Sequence, residues 1–594
     1  MKIALVRAWD MLKPHQRIKF LVLTLLLITT TSIDMVGIAS IMPFIAVLVS
    51  PAEIDKVSAL NYLYRKLDFA TYENFSFFLG SLVLLILIIA LTLKTFATYL
   101  QTLFVHEIEY TISKRLLRGY LLQPLSSHLD QHSADHGKRI LSDVNIVVGN
   151  GFVSLLSLIA QVITLAAILA LLVAIDPILA LIVSASFAAA YGAILCVSKT
   201  FLRRIGEEHG TANRARYRTV VEAFGAIREV KIRGLEPNMV ERFSIAAQVY
   251  ARSQAYATML AQFPRYALEA IAFGGALLIL LHLIMSNGLD AVLPTIAVYA
   301  FAGYRVIPAI QSSYAALTNI KFIETTFAQV HRDVIRFSQN EVWPKQRMAS
   351  PRTSIALKDV SYTYPGSAIQ ALANVSVAIP AGATVGIVGK TGSGKSTVVD
   401  IILGLLEPDS GALEVDGNVI GVRNRLGWQR LVGYVPQRIY LLDDTVSANI
   451  AFGLVPSEID YVRLEHVAKI AKIHDFILRD LSEGYQTTLG ENGARLSGGQ
   501  RHRIGIARAL YLGPSVLALD ESTSALDSIT EREVMENISN MDTEITIILV
   551  SHRLEILKQC DHIFLFEGGR LDDQGTFARL IDRNKNFCEM SKTV

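Results

Sequence analysis

Long apolar stretches alternate with polar segments through the first half of the chain. Each stretch is long enough to cross a bilayer, for which a helix needs about 20 apolar residues. The stretches occupy residues 20–49, 76–105, 151–174, 177–199, 256–285 and 291–318. This pattern predicts six membrane-spanning helices, of which the third and fourth form a tight hairpin because almost no residues separate them.

Lysine and arginine collect on one side of these predicted spans. Residues 1–19 and the long loops 106–146 and 199–255 are rich in basic side chains, whereas the loops on the other side are nearly balanced or uncharged. Because positively charged loops stay in the cytoplasm, both termini and the two long loops are predicted to be cytoplasmic. Apolar residues recur at helical spacing in the long loops, so the spans are expected to continue into the cytoplasm as helices.

The external segment 53–68 has its own periodicity. Ile54, Leu60 and Tyr64 belong to an apolar series whose members lie three or four residues apart. The spacing predicts an amphipathic helix that either lies in the outer interface of the membrane or packs on the protein.

The pattern changes after the sixth span. Residues 331–353 form a polar, proline-containing linker, and from residue 354 apolar strand patterns alternate with helical ones. The sequence therefore predicts an all-α six-helix transmembrane domain at 1–330 fused through the linker to an α/β domain at 354–594.

Composition agrees with this division and excludes several classes of protein. Hydrophobic residues make up 52% of the chain and charged residues 18%, which is too apolar for an ordinary soluble enzyme or a disordered chain. The net charge of +3 excludes a strongly basic protein that binds nucleic acid. The three cysteines, Cys196, Cys560 and Cys588, are too scattered for a disulfide framework or a zinc site.

A phosphate-binding motif opens the α/β domain. An apolar strand at 384–388 precedes it and a predicted helix follows it, which is the context that the G-x-x-x-x-G-K-[ST] motif requires. Glycines let backbone N–H groups turn toward phosphates, the lysine can reach the β- and γ-phosphates, and the hydroxyl can bind Mg²⁺. The candidate nucleotide-binding residues are Gly389, Lys390, Thr391, Gly392, Ser393, Gly394, Lys395, Ser396 and the following Thr397.

A second apolar strand, Val516 to Leu519, ends in two carboxylates. Asp520 stands at the usual position of the aspartate that holds Mg²⁺ in such sites. Glu521 follows it directly and is placed to polarise an attacking water. These residues predict ATP hydrolysis that depends on Mg²⁺.

Between the two strands lies Leu496-Ser497-Gly498-Gly499-Gln500. Here the chain resembles the ATP-binding-cassette transporters, whose signature sequence is LSGGQ, and among them the exporters of type IV. The resemblance implies that Ser497, Gly498, Gly499 and Gln500 contact nucleotide.

Other positions take their roles from the same resemblance. Tyr364 matches the aromatic residue that stacks on adenine, and Gln437 matches the residue that senses Mg²⁺ and touches the membrane domain. Asp527 ends the loop that passes between paired cassettes, and His552 matches the switch histidine that contacts the γ-phosphate. The catalytic residues implied are thus Glu521, His552 and Gln437, and the Mg²⁺ ligands are Ser396, Gln437 and Asp520.

The resemblance also implies a homodimer. In this family the signature of one cassette closes over ATP that the phosphate-binding loop of another cassette holds. This chain has one cassette and six spans, so two copies are needed to build complete sites, and closed twofold symmetry is the default for self-association.

Ionisable residues inside the spans are costly and therefore informative. Lys94, Arg265 and Arg305 are predicted to lie toward the cytoplasmic half of the membrane, at depths comparable to that of Asp34. They could line a shared cavity for an anionic head group, because arginine binds phosphate through two parallel hydrogen bonds. Alternatively, Arg265 pairs with Glu269 and Arg305 with Asp34 as internal ion pairs.

Three membrane segments sharpen this hypothesis. The stretches 34–45, 264–269 and 304–308 resemble those of bacterial lipid-linked oligosaccharide flippases of the N-glycosylation type. The resemblance implies export of a polyprenyl-pyrophosphate-linked oligosaccharide across the bacterial inner membrane, with membrane lipids around the helices and no nucleic-acid partner. The alternatives are a peptide, drug or lipid exporter, an ATP-gated channel or regulator, and an importer.

Three histidines in the first long loop are spaced four residues apart. His128, His132 and His136 would lie on one face of a continuous helix and could bind a metal there. A solvated helix or coupling elbow is the ordinary occupant of this loop.

Overall fold

The computed structural model describes residues 2–49, 54, 58–67, 69, 71–129, 133–175, 177–262, 266, 269, 274, 277, 289–338, 348–521, 527–541, 545–551 and 553–592. The chain forms two compact units. The first contains residues 1–123 and 131–341, and the second contains residues 124–130 and 342–594.

Every regular element described in the first unit is a helix. Its helices are α1 (Lys2–Met11), α2 (Pro14–Ala39), α3 (Ile41–Val49), α4 (Ser58–Lys66), α5 (Tyr72–Leu121), α7 (Ser133–Gly137), α8 (Val153–Ile175), α9 (Pro177–Gly225), α10 (Ile227–Arg233), α11 (Glu236–Gln262), α12 (Leu289–Phe322) and α13 (Glu324–Ser338). Helix α6 (Leu125–Leu129) belongs to the second unit.

Three helical segments of the described residues are long and apolar enough to cross a membrane, namely Pro14–Gly37, Tyr72–Leu121 and Ala134–Ala170. They coincide with the first three predicted spans. The fourth and sixth predicted spans lie in α9 and α12, and most of the fifth lies outside the described residues.

The helices α5 and α9 are much longer than a bilayer requires. Helix α5 has 50 residues, which at 1.5 Å per residue gives a length of about 75 Å against a hydrocarbon core of about 30 Å. Its C-terminal part buries Ile108, Ile112 and Leu116 at four-residue intervals. Helix α5 therefore continues well beyond its predicted span, and the apolar stripe packs this extension into the helical bundle. Its location in the cytoplasm stays a prediction.

The described residues of segment 53–68 pack on the protein. Ile54 is 1% exposed, and Leu60 of α4 is buried with Val47, Phe75 and other apolar residues. The ring of Tyr64 stacks on that of Tyr72 with centroids 5.6 Å apart. Of the two predicted arrangements, the structure favours packing of the buried face against its neighbours.

Two π-helical turns, Lys138–Asp143 and Val147–Phe152, interrupt the helix that leads into α8. Lys138 and Asp143 form an ion pair of 2.8 Å, and their side chains are 6% and 2% exposed. The wider turn brings residues five apart onto one face, so the ion pair joins the first and last residues of the first π turn. The apolar pattern of the sequence did not predict this distortion.

A buried histidine lies nearby on α9. His209 is 4% exposed, stacks on Tyr250 at 4.3 Å and meets the ring of Phe322 at 4.9 Å. Its Nε2 has no hydrogen-bond partner among the described residues. Burial, together with the positive charges of Lys138 and Arg216, lowers the pKa of His209 to about 4.

The described residues of the second unit form ten strands in two sheets. The strands are β1 (Ser354–Thr363), β2 (Gln370–Pro380), β3 (Thr384–Gly389), β4 (Ser410–Val415), β5 (Asn418–Val419), β6 (Val432–Val435), β7 (Val516–Asp520), β8 (Thr546–Val550), β9 (His562–Glu567) and β10 (Arg570–Gly575). The first sheet has the order β2-β1-β4-β5, and its strands pair antiparallel. The second has the order β10-β9-β3-β8-β7-β6; its strands β9, β3, β8, β7 and β6 run parallel, and β10 returns antiparallel to β9.

The parallel strands are nearly continuous apolar runs because helices cover both faces of such a sheet. Val516, Leu517, Ile547 and Ile548 are each at most 2% exposed. The helices of this unit are α14 (Lys395–Ile402), α15 (Arg425–Gln429), α16 (Val446–Ile450), α17 (Tyr461–Ile470), α18 (His474–Asp480), α19 (Gly498–Tyr511), α20 (Ser528–Ser539), α21 (Leu554–Leu557), α22 (Phe577–Arg583) and α23 (Lys585–Lys592).

The predicted histidine face is not one continuous helix. His128 lies in α6 of the second unit and His136 in α7 of the first, while His132 lies outside the described residues. The described part of the chain contains no group of three or more His, Cys, Asp or Glu side chains that could hold a metal ion.

Candidate functional site

The phosphate-binding loop connects the carboxyl end of β3 to α14. Gly392 and Gly394 have φ angles of 81° and 98°, which only glycine adopts without strain. A Cβ on Gly394 would also lie 2.8 Å from the carbonyl oxygen of Ala371. The glycine spacing of the motif therefore has a direct steric cause, and it leaves the N-terminus of α14 open toward an anion.

Lys395 begins α14 and is only 6% exposed. Its Nζ donates to the carbonyl oxygens of Gly389 and Lys390 at 2.9 and 3.0 Å. Burial lowers the pKa of Lys395, and the nearby carboxylates of Glu521 and Asp520 oppose that shift. The ammonium group is thus held against the loop by weak neutral acceptors that phosphate oxygens can replace.

Tyr364 lies beside the same helix. Its hydroxyl is 3.1 Å from Oγ1 of Thr397, and its ring meets that of Tyr362 edge to face with centroids 5.1 Å apart. The structure therefore brings the predicted adenine-stacking residue to the first turn of α14.

Gln437 and Glu521 are in direct contact. Nε2 of Gln437 donates to Oε2 of Glu521 at 2.6 Å, although 84 residues separate them. Glu521 has a φ of 48°, in the left-handed region that a glutamate rarely occupies. Its N–H donates to the carbonyl oxygen of Val550, so the neighbouring strand stabilises this turn. Strained backbone of this kind is typical of functional positions.

Acidic groups crowd the carboxyl end of β7. Burial and the charge of Glu521 raise the pKa of Asp520, whose carboxylate lies 3.5 Å from the hydroxyl of Tyr434. Burial and the charge of Asp520 also raise the pKa of Asp400, to about 6. A divalent cation would relieve this repulsion, and hydroxyl, amide and carboxylate oxygens from Ser396, Gln437 and Asp520 are the ligands that Mg²⁺ prefers. The donor set fits the predicted Mg²⁺.

The signature residues form the start of α19, a helix of 14 residues. Oγ of Ser497 accepts from the N–H of Gln500, and the side chain of Gln500 accepts from the N–H of Ser497. This reciprocal capping leaves the N–H groups of Gly498 and Gly499, without side chains in the way, at the positive end of the helix. The arrangement suits a phosphate group.

Of the two remaining predicted residues, only Asp527 is described. Asp527 caps α20 by accepting from the N–H of Thr530 at 2.9 Å, and this bond holds the pKa of Asp527 below its usual range. His552 lies outside the described residues.

Sequence reasoning missed three residues that the structure places here. Asp400 lies one turn after Ser396 on α14, and a count at helical spacing would have found it. Tyr434 lies three residues before Gln437 in the sequence, but no role was predicted for it. Nothing in the sequence pointed to His502, because its ring contacts the carbonyl oxygen of Gln437, a residue 65 positions away in the chain.

The predicted substrate residues are described only in part. Lys94 is exposed on α5, and Arg305 lies in α12. Arg265 lies outside the described residues. Their assignment to a shared cavity stays a prediction.

Family comparisons cover both units. Residues 20–301 match the model described as ABC transporter transmembrane region, and residues 372–524 match the model described as ABC transporter. The chain is 31% identical to the ATP-dependent lipid A-core flippase of Saccharophagus degradans over 410 residues, which cover 68% of each chain. It is 29% identical to the alpha-hemolysin translocation ATP-binding protein HlyB of Proteus vulgaris over 506 residues, 83% of this chain and 69% of that one.

A solved structure agrees with the fold. A bacterial Atm1-family ABC exporter with ATP bound superposes with a TM-score of 0.78 at 22% identity, covering 98% of this chain and 99% of the other. The predicted fold class, a helical membrane domain of the type IV exporter kind followed by an α/β nucleotide-binding domain, is confirmed.

Proposed function

Because the chain belongs to the ABC transporter family and is an ATP-driven exporter whose ATP hydrolysis is coupled to transport, we propose that it flips an anionic lipid-linked substrate across the bacterial inner membrane. The substrate proposed is a polyprenyl-pyrophosphate-linked oligosaccharide. The observation that carries the lipid assignment is the similarity, over two thirds of the chain, to flippases of lipid A-core. The intramembrane cations Lys94, Arg265 and Arg305 support the anionic head group.

In this proposal ATP binds at the loop between β3 and α14. The loop N–H groups and Lys395 hold its phosphates, and the ammonium exchanges the carbonyls of Gly389 and Lys390 for phosphate oxygens. The ring of Tyr364 stacks on the adenine. Bound Mg²⁺ would neutralise the phosphate charge, and Ser396, Gln437 and Asp520 would hold it.

Glu521 is the proposed general base. A carboxylate on a strained turn directly after the buried strand β7 has few alternative positions, and the amide of Gln437 restricts it further. From there Glu521 would orient and deprotonate the water that attacks the γ-phosphate, while His552 would contact the γ-phosphate itself.

We further propose that two copies of the chain pair. The sequence contains one phosphate-binding loop and one signature, and each site would need the loop of one chain and the signature of the other. Exposed apolar side chains around helix α10 of the first unit offer a further contact surface for the second copy. Ile227 and Ile232 of this helix are 41% and 84% exposed, and Phe224 just before it is 72% exposed. ATP would then hold the cassettes together, and hydrolysis would release them.

Protein export is the second candidate. The alpha-hemolysin translocation ATP-binding protein HlyB matches 83% of this chain and the leukotoxin translocation ATP-binding protein LktB 85%, larger shares than the flippases match. The identity is lower, at 29%, and no single residue in the described part of the chain favours a polypeptide.

Reconstitution tests the proposal. The purified chain in liposomes is supplied with a fluorescent polyprenyl-pyrophosphate oligosaccharide, with lipid A-core or with a toxin polypeptide, and ATP-dependent movement of each is measured. The Glu521→Gln variant is the control for movement that needs no hydrolysis. Movement of the pyrophosphate-linked lipid alone supports the proposal, whereas movement of only lipid A-core or only the polypeptide replaces the proposed substrate.

A further inference from the structure

His502 lies one turn into the signature helix α19. Its Nδ1 is 2.9 Å from the carbonyl oxygen of Gly498, in its own helix, and its Nε2 is 3.2 Å from the carbonyl oxygen of Gln437. Both ring nitrogens therefore face acceptors. A neutral imidazole carries one N–H, so it donates to one of these carbonyls at a time.

Gln437 continues the connection on its other side. Its backbone carbonyl meets His502, and its side-chain amide donates to Glu521 at 2.6 Å. One residue thus joins the signature helix to the carboxylate that follows β7. All of these groups belong to a single cassette.

We propose that His502 is a positioning residue for ATP hydrolysis. By donating from Nε2 to the backbone of Gln437, it fixes the amide that holds Glu521. The inference rests on the proposed pairing of two chains, in which the signature and Glu521 of one cassette serve different ATP molecules. His502 then ties the carboxylate of one site to the signature helix that completes the other.

The fold does not depend on this side chain. The cap formed by Ser497 and Gln500 remains when the imidazole is removed. Arg508, further along α19, donates to the carbonyl oxygens of Tyr440 and Asn449 at 2.8 Å each. These bonds keep the helix attached to the segment after Gln437. A substitution of His502 therefore tests the positioning of Glu521 rather than the folding of the cassette.

Steady-state kinetics give the first test. Loss of one hydrogen bond predicts that His502→Ala lowers kcat about fivefold, with the KM for ATP changed less than about twofold. His502→Gln, whose amide nitrogen occupies the place of Nε2, is expected to stay within about twofold of the parent. His466→Ala, an exposed histidine on α17, is the matched control. Should His502→Ala fail to assemble, His502→Asn replaces it, since its shorter amide mimics only Nδ1.

Mixed dimers separate positioning from damage to the signature. One chain carries Glu521→Gln, so that only the site with the intact Glu521 turns over. His502→Ala on the chain with the intact Glu521 should lower turnover about fivefold, and on the other chain less than about twofold. An equal or larger effect from the second placement overturns the proposal, as does a His502→Ala homodimer that matches His466→Ala. Failure of the chains to pair at all contradicts the proposed function instead.

Discussion

The amide of Gln437 donates to the carboxylate of Glu521 at 2.6 Å, and this contact joins two segments of the cassette that the sequence keeps far apart. Gln437 follows β6 and Glu521 follows β7, and these strands are parallel neighbours. Because parallel strands end at the same edge of a sheet, groups that follow them meet there. The edge is where ATP chemistry is expected.

Glu521→Gln should leave ATP binding intact and lower kcat about 100-fold or more, because the amide cannot accept a proton from water. The variant should also accumulate as a dimer in the presence of ATP. ATPase kinetics and size-exclusion chromatography measure both effects. Glu536→Gln, at an exposed site on α20, should behave like the parent, and unchanged hydrolysis in Glu521→Gln would remove this residue from the role of base.

Arg265→Ala and Arg305→Ala should abolish movement of a pyrophosphate-linked lipid while basal ATPase activity remains within about twofold of the parent, because the charge is used for the head group and not for ATP. Lipid movement and ATP hydrolysis are measured in the same liposomes. Arg265→Lys and Arg305→Lys keep the charge and should retain part of the transport. Transport at the parental rate by both alanine variants would contradict the anionic cavity.

His209 should make stability depend on pH. The unfolded chain binds a proton at this residue below about pH 6.5, whereas the folded chain does so only near pH 4, so protons favour unfolding between these values. Lowering the pH from 7 to 5 should cost the parent about 2 kcal/mol more than His209→Gln. Thermal unfolding at both pH values measures this. His106→Gln, at a side chain that is 68% exposed, should follow the parent, and identical pH slopes for the parent and His209→Gln would refute the effect.

The buried pair Lys138–Asp143 should be sensitive to loss of one partner. Lys138→Met leaves the carboxylate of Asp143 without its closest cation and should cost about 3 kcal/mol, while the double variant Lys138→Met/Asp143→Leu should recover much of it. Lys19→Met at the exposed pair with Glu107 should cost less than about 1 kcal/mol. Denaturant unfolding compares the variants, and an equal cost at both sites would show that the π turn does not depend on the ion pair.

Short-range rules predicted a large part of this molecule. Three of the apolar stretches correspond to described helices that are long and apolar enough to cross a membrane, because a chain in lipid must satisfy its backbone hydrogen bonds internally. The glycines of the phosphate-binding motif predicted its loop, because the backbone at Gly392 and Gly394 adopts φ angles that only glycine tolerates without strain. The strands around Asp520 followed from their continuous apolar character.

Contacts between residues far apart in the sequence could not be predicted. The left-handed turn at Glu521 is imposed by the hydrogen bond to Val550 in a neighbouring strand, and the Gln437–Glu521 contact depends on sheet order. The histidine face failed because the periodicity of His128 and His136 assumed one helix, whereas the chain passes from one compact unit to the other between them. Periodicity detects a local helix and not the breaks that tertiary packing introduces.

The central claim, that each ATP site is shared by two chains, can be tested by complementation. Lys395→Ala disables the phosphate-binding loop, Gly499→Asp disables the signature, and each variant alone should be inactive. Coexpression should restore about a quarter of the parental ATPase activity, because half of the randomly formed dimers are mixed and each mixed dimer has one intact site out of two. Activity that stays at the level of the separate variants, or a monomer that hydrolyses ATP at the parental rate, would contradict the account.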